Sequence, residues 1–131
     1  MTQPYPSAQR RPHAEAFREV WLARYPSLTA AAKLAQAKLD AAGDDERLRL
    51  RMQLVLQRLA PPSADAAARY HALADRMQAL DDRPGYLIAK SFAAGAEGYL
   101  GDAAAALAAY EQLGPEIDLL PDPLEQHVAI S

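Results

Sequence analysis

Arg47, Arg51 and Arg58 are the residues of this chain whose type and spacing could do chemistry. At 100° per residue the three fall within about 40° of one another on a helix, so their planar guanidinium groups could grip carboxylates or phosphates bidentately. Arg49 points elsewhere. Other reactive residue types do not assemble in the sequence. His13, His71 and His127 lie in separate segments without the HExxH spacing of a metal site, and no cysteine supplies a thiolate. Ser63 and Ser91 lack the strand–turn–helix elbow of a hydrolase nucleophile. Asp44-Asp45 and Asp81-Asp82 fall at helix ends, where they already have a structural role. The expectation is a protein without catalysis, metal or cofactor. Duplex nucleic acid is a poor partner, because the net charge is −3 and three aligned arginines offer few phosphate contacts.

The elements that must position these residues are helices. The ten prolines and the doublets Gly43-Asp44 and Gly101-Asp102 fall where a helix should start or stop. Thirty alanines stand against six Val and Ile and two Thr, which favours helix and leaves little material for strands. The fold class is therefore all-α. A first helix is predicted over about 13–24 with Phe17, Val20 and Trp21 inward, and a second follows from the cap Ser27 to about Ala42 with a stripe through Leu28, Ala31 and Ala35. The third, capped by Asp44, Asp45 and Glu46, reaches Leu59 and is apolar over much of its circumference, as a central helix would be. Ser63 is read as the cap of a fourth, with Tyr70, Leu73, Met77 and Leu80 at 3, 4, 3 spacing. A fifth spans Tyr86 to Tyr99 and a sixth Asp102 to Leu113. After a loop framed by Pro115, Pro121 and Pro123, Leu124 begins a seventh. Gly95 and Gly98 each cost about 1 kcal/mol against alanine in a helix interior, which suggests another helix packed close by.

The charge is uneven. Up to Lys90 there are fourteen basic and ten acidic residues, or +4; from Ser91 onward there are seven acids and no Lys or Arg, or −7. Such a chain could steer a charged partner or align copies head to tail. The first twelve residues read as a loose tail, with residues 13–131 as the helical domain. The longest apolar run, 103–109, is mostly alanine and far short of a membrane span, so a soluble, cytoplasmic protein is expected.

The segment from Ala94 to Leu113, AGAEGYLGDAAAALAAYEQL, resembles the second half of a tetratricopeptide repeat. Ala94 occupies the place of the family's small residue in the first helix, Gly101 the turn, Ala106 the small residue in the second helix and Tyr110 the aromatic facing the next repeat. Lys90 and Glu97 stand where the family commonly has aromatics, and helix starts near 44, 84 and 122 imply a pitch near 40, longer than a standard repeat. Repeats of that length are similar to helical sensor regions of bacterial signalling proteins. The resemblance implies a right-handed stack of six to seven helices in antiparallel pairs, with the third helix paired to the fourth, acting as an interaction or sensory module for a peptide or partner helix. In that family the first helix of each pair lines a groove, which makes Arg47, Arg51 and Arg58, with Ser91 and Tyr99, the groove candidates and acidic groups the fitting partner. The lysine and asparagine by which some members clamp a peptide terminus are replaced by Ser91 and Gly95. A compact bundle holding a small ligand or acting as a regulatory subunit is the alternative. The seventh helix is short and carries no Lys or Arg, so either the chain is a fragment or its end packs against a partner or a second copy as a dimer, with Tyr99, Leu107, Leu124 and Val128 as contacts.

Overall fold

The computed structural model describes residues 11–130, so the first ten residues of the expected tail lie outside the described residues. It holds seven helices and, among the described residues, no strand: α1 (Pro12–Leu22), α2 (Leu28–Asp40), α3 (Glu46–Leu59), α4 (Ala66–Ala79), α5 (Arg83–Tyr99), α6 (Ala103–Ile117) and α7 (Pro123–Ile130). The all-α class and the number of helices are as expected. The helices form two compact units divided at Pro61–Pro62, α1 to α3 in one and α4 to α7 in the other.

In the α1–α3 unit all three helices pack on one another, with α3 against both partners. Phe17, Val20 and Trp21 of α1 are buried with Leu50, Met52, Leu54 and Val55 of α3, and Phe17 stacks on Trp21 with ring centroids 5.8 Å apart. Each such side chain taken out of water contributes roughly 1.5–3 kcal/mol. From α2 only Ala31 and Ala35 are buried, and Leu28, expected in its inner stripe, is exposed. Ser27 caps α2 by accepting from the Ala30 amide, and Lys38 ties α2 to Glu19 of α1 at 2.9 Å.

The α4–α7 unit is organised by α5, which packs on α4, α6 and α7. Leu87, Ile88, Ala89, Ser91, Phe92, Ala93 and Ala94 are all buried. Tyr70 of α4 meets Phe92 edge-on at 5.6 Å. Within its own unit α4 packs on α5, and within the other α3 packs on α1 and α2.

Two of the connections repeat one device. After α5, Gly101 takes φ 102°, its amide reaches the Gly98 carbonyl and the Asp102 amide reaches the Glu97 carbonyl, which is the Schellman pattern that satisfies the last carbonyls of a helix. After α4, Asp81 takes φ 63° with the same two bonds, to Gln78 and Met77. The following residue then caps the next helix: Asp82 accepts from the Gly85 amide and Asp102 from the Ala105 amide. With Asp82 as cap, α5 starts at Arg83 and Pro84 sits in its first turn, where a missing amide proton costs nothing, three residues ahead of the sequence expectation.

Two other boundaries differ. α6 runs through Pro115 to Ile117, where a stop near Leu113 was expected. Gly114, without a Cβ to meet the proline ring, precedes it, and the extra turn buries Ile117 while Leu120 is buried just beyond. At α4, Ser63 does not cap the helix; its hydroxyl donates to Asp65 at 2.6 Å, and Asp65 also accepts from Arg69 at 2.9 Å. The Ser63 bond first, and Arg69 next, hold the Asp65 carboxyl below its ordinary range.

Four substitutions test these contacts. A methyl at Gly98 would stand 3.2 Å from the Ala106 Cβ, which is fixed to backbone, whereas at Gly95 it would meet only the tip of Tyr110 at 3.3 Å. Gly98→Ala should therefore lower stability by about 1–2 kcal/mol despite its better helix propensity, and Gly95→Ala should raise it by up to about 1 kcal/mol, both read by chemical denaturation. Asp81→Gly should raise stability by about 0.5–1 kcal/mol, since glycine adopts the left-handed conformation without a Cβ clash. A depressed carboxyl stabilises the fold at neutral pH and loses that contribution as pH falls through its folded value. Ser63→Ala should accordingly move the Asp65 midpoint upward in an NMR titration and bring the acid loss of this clamp to higher pH.

Candidate functional site

The arginine row is broken in its middle. Arg47 and Arg58 are exposed, but Arg51 is fully buried, its guanidinium carbon 5.2 Å from the centre of the Phe17 ring on α1. The arc of α3 beside its core stripe is the arc that α1 covers, so the residue in the centre of the row is taken inside. Arg51 is therefore corrected from a groove residue to an interior one.

A different basic group replaces the row. Arg24, just after α1, lies 3.7 Å from the centre of the Trp21 ring and 6.0 Å from that of Tyr25, and its Nε donates to the Trp21 carbonyl at 3.3 Å. Burial first, and the nearby positive charge of Arg58 second, hold its guanidinium below its ordinary value. Arg58, exposed at the end of α3, and Arg24, 34 residues earlier, both belong to the α1–α3 unit, whose net charge is positive, and their like charges act on one another; this is its basic corner. Around it the connection from α1 to α2 exposes Leu22, Tyr25 and Leu28, the last two at 73% and 62%. Large apolar side chains at that exposure beside two guanidinium groups suit an acidic, partly apolar partner segment. Arg24 stands three residues after Trp21, a spacing the sequence does offer, but the influence of Arg58 on it depends on the fold and not on helical spacing.

The candidates in the α4–α7 unit separate in the same way. Ser91 is buried and donates from Oγ to the Ala129 carbonyl, so it locks α7 onto α5 and does not line a groove. Val128 is fully buried and Leu124 partly so, which corrects Val128 as a contact for a second copy. Tyr99 and Leu107 do stand out, 73% and 60% exposed. They lie on one side of the α5–α6 hairpin. Gly98 faces Ala106 and Gly95 faces Tyr110 across an antiparallel pair, and Tyr99 and Leu107 each follow by one residue, a rotation that turns both the same way. Exposed acids, Asp102 and Glu111, belong to the same hairpin. Tyr110 lies against its own hairpin partner at Gly95.

His71, Lys90 and Glu97 form a chain between α4 and α5. Lys90 Nζ donates to His71 Nδ1 at 2.8 Å, and His71 Nε2 donates to Glu97 Oε1 at 2.9 Å. A lysine ammonium can only donate, so in this arrangement Nδ1 is the acceptor and Nε2 the donor. Arg83 and Glu116 make a corresponding tie between α5 and α6. Among the described residues no group of three His, Cys, Asp or Glu side chains could hold a metal ion, and no helix is long and apolar enough to cross a membrane. Comparison with protein-family models, with curated proteins and with solved structures found no match to this chain.

Proposed function

We propose that this chain is a non-catalytic interaction module that docks an acidic peptide or helix of a partner protein. The observation that carries the reading is the corner formed by Arg24 and Arg58 beside the exposed Tyr25 and Leu28. The positive charge of Arg58 opposes that of Arg24, and a carboxylate docked at Arg24 relieves that repulsion while accepting hydrogen bonds from a guanidinium already stacked on Trp21. Arg24 is pre-positioned by its stack on Trp21, so little rotamer freedom is lost when it binds. The exposed Tyr25 ring and the leucines supply the apolar contact that makes such a pair selective for a peptide over a free anion. The tetratricopeptide-like pattern of Ala94, Gly101, Ala106 and Tyr110 supports a helical interaction scaffold of the kind used as a sensory region in bacterial signalling.

The test is fluorescence anisotropy with a labelled acidic amphipathic peptide and its Gln-substituted counterpart. The acidic peptide should bind more tightly, and Arg58→Glu should weaken it roughly three- to tenfold at low salt, with the difference shrinking as salt rises. Equal binding of the two peptides, or no effect of Arg58→Glu, sinks the reading.

A further inference from the structure

We infer that this chain carries the occupant of its own basic corner: the acidic, apolar face of the α5–α6 hairpin of a second copy, so that copies associate head to tail. The inference rests on the docking role proposed for the corner and names its partner.

The division of charge follows the division of the fold. Residues 10–61, the α1–α3 unit, hold ten basic and six acidic side chains, a net +4, and residues 62–131 hold four basic and eleven acidic, a net −7. In the α4–α7 unit the basic groups are also engaged at home. Arg69 pairs with Asp65, Arg83 with Glu116, and Lys90 donates to His71. From Ser91 onward there is no Lys or Arg at all, and the two cations of the hairpin, Arg83 and Lys90, are the ones engaged by Glu116 and His71, so the face that presents Tyr99 and Leu107 is bordered by Asp102 and Glu111.

Each unit therefore exposes an apolar patch of about the same make-up, a tyrosine with leucine, and the two patches carry opposite charge. Tyr25 with Leu22 and Leu28 stands beside Arg24 and Arg58; Tyr99 with Leu107 stands among Asp102 and Glu111. Pairing like patches across a two-fold axis would bring Arg58 toward Arg58, or Glu111 toward Glu111, as apolar surface is covered. Pairing unlike patches covers the same surface and brings arginines to carboxylates. Charge thus selects the unlike pairing, and an interface between two different patches leaves one of each unused at the ends of any assembly.

Sedimentation velocity of the whole chain over a range of concentrations tests this. The chain should associate with rising concentration at low salt, and raising salt from ~0.05 to ~0.5 M should weaken association by roughly tenfold. Arg58→Glu and Leu107→Asp alter exposed side chains, so circular dichroism should show both variants folded. Each alone should stay largely monomeric at concentrations where the wild-type chain associates, because each has one patch impaired. An equimolar mixture should form a one-to-one dimer and nothing larger, since the intact hairpin of the first variant meets the intact corner of the second. A monomeric wild-type chain, association that survives either substitution, or a mixture that stays monomeric overturns the inference. Binding of the acidic peptide by a strictly monomeric chain would leave the docking role standing and remove only the second copy; failure of both measurements removes both.

Discussion

Crowding around α5 is the constraint on which the α4–α7 unit depends. One helix is packed by three others, and a helix surrounded in this way must present short side chains wherever two axes approach closely. Ala89, Ala93 and Ala94 are buried along it, and Gly95 and Gly98 stand where a methyl would meet α6. The large apolar residues buried along it are Leu87, Ile88 and Phe92, and the last of these is met by Tyr70. The alanine-rich composition is thus a packing requirement as much as a helix propensity. It lets a small unit bury backbone against backbone where it has few bulky side chains to spend on a core.

Interhelical polar ties then fix the angles that small residues leave open. Alanine and glycine contacts are smooth and would permit helices to slide. Lys90, His71 and Glu97 bridge α4 and α5, Arg83 and Glu116 bridge α5 and α6, and the Ser91 hydroxyl engages α7. Each of these bonds has a direction and a length, so together they select one register among several of similar apolar burial. Between α4 and α5 two aspartates act in succession, Asp81 closing one helix and Asp82 opening the next, and between α5 and α6 Gly101 and Asp102 do the same.

Much of this was legible in the sequence. The helices, the turn at Gly101, the burial of Trp21 and the close approach implied by Gly95 and Gly98 all follow from local spacing and from residues whose backbone demands are strong. What spacing could not supply is which neighbour covers a given arc. Arg51 and Arg58 share one side of α3, yet α1 covers the first and leaves the second exposed. Val128 looked like an uncovered end, but α7 turns it inward against the unit, and Ser91 is consumed by the same contact. Pro115 was read as a terminator because proline lacks an amide proton; Gly114 before it and the burial of Ile117 after it carried the helix on. In each case a local preference was decided by packing partners distant in sequence.

The stack of Arg24 on Trp21 has an optical consequence. This is the sole tryptophan of the chain; it is almost fully buried, and it belongs to the α1–α3 unit. Its emission therefore senses the solvent exposure of that unit alone, while the tyrosines at 70, 86, 99 and 110 lie in the other. A cation held 3.7 Å above the indole also perturbs the excited state, so the ring doubles as an internal dye for occupancy of the basic corner. Intrinsic fluorescence and far-ultraviolet circular dichroism, followed together through a denaturant series, would consequently separate melting of the two units without any added label.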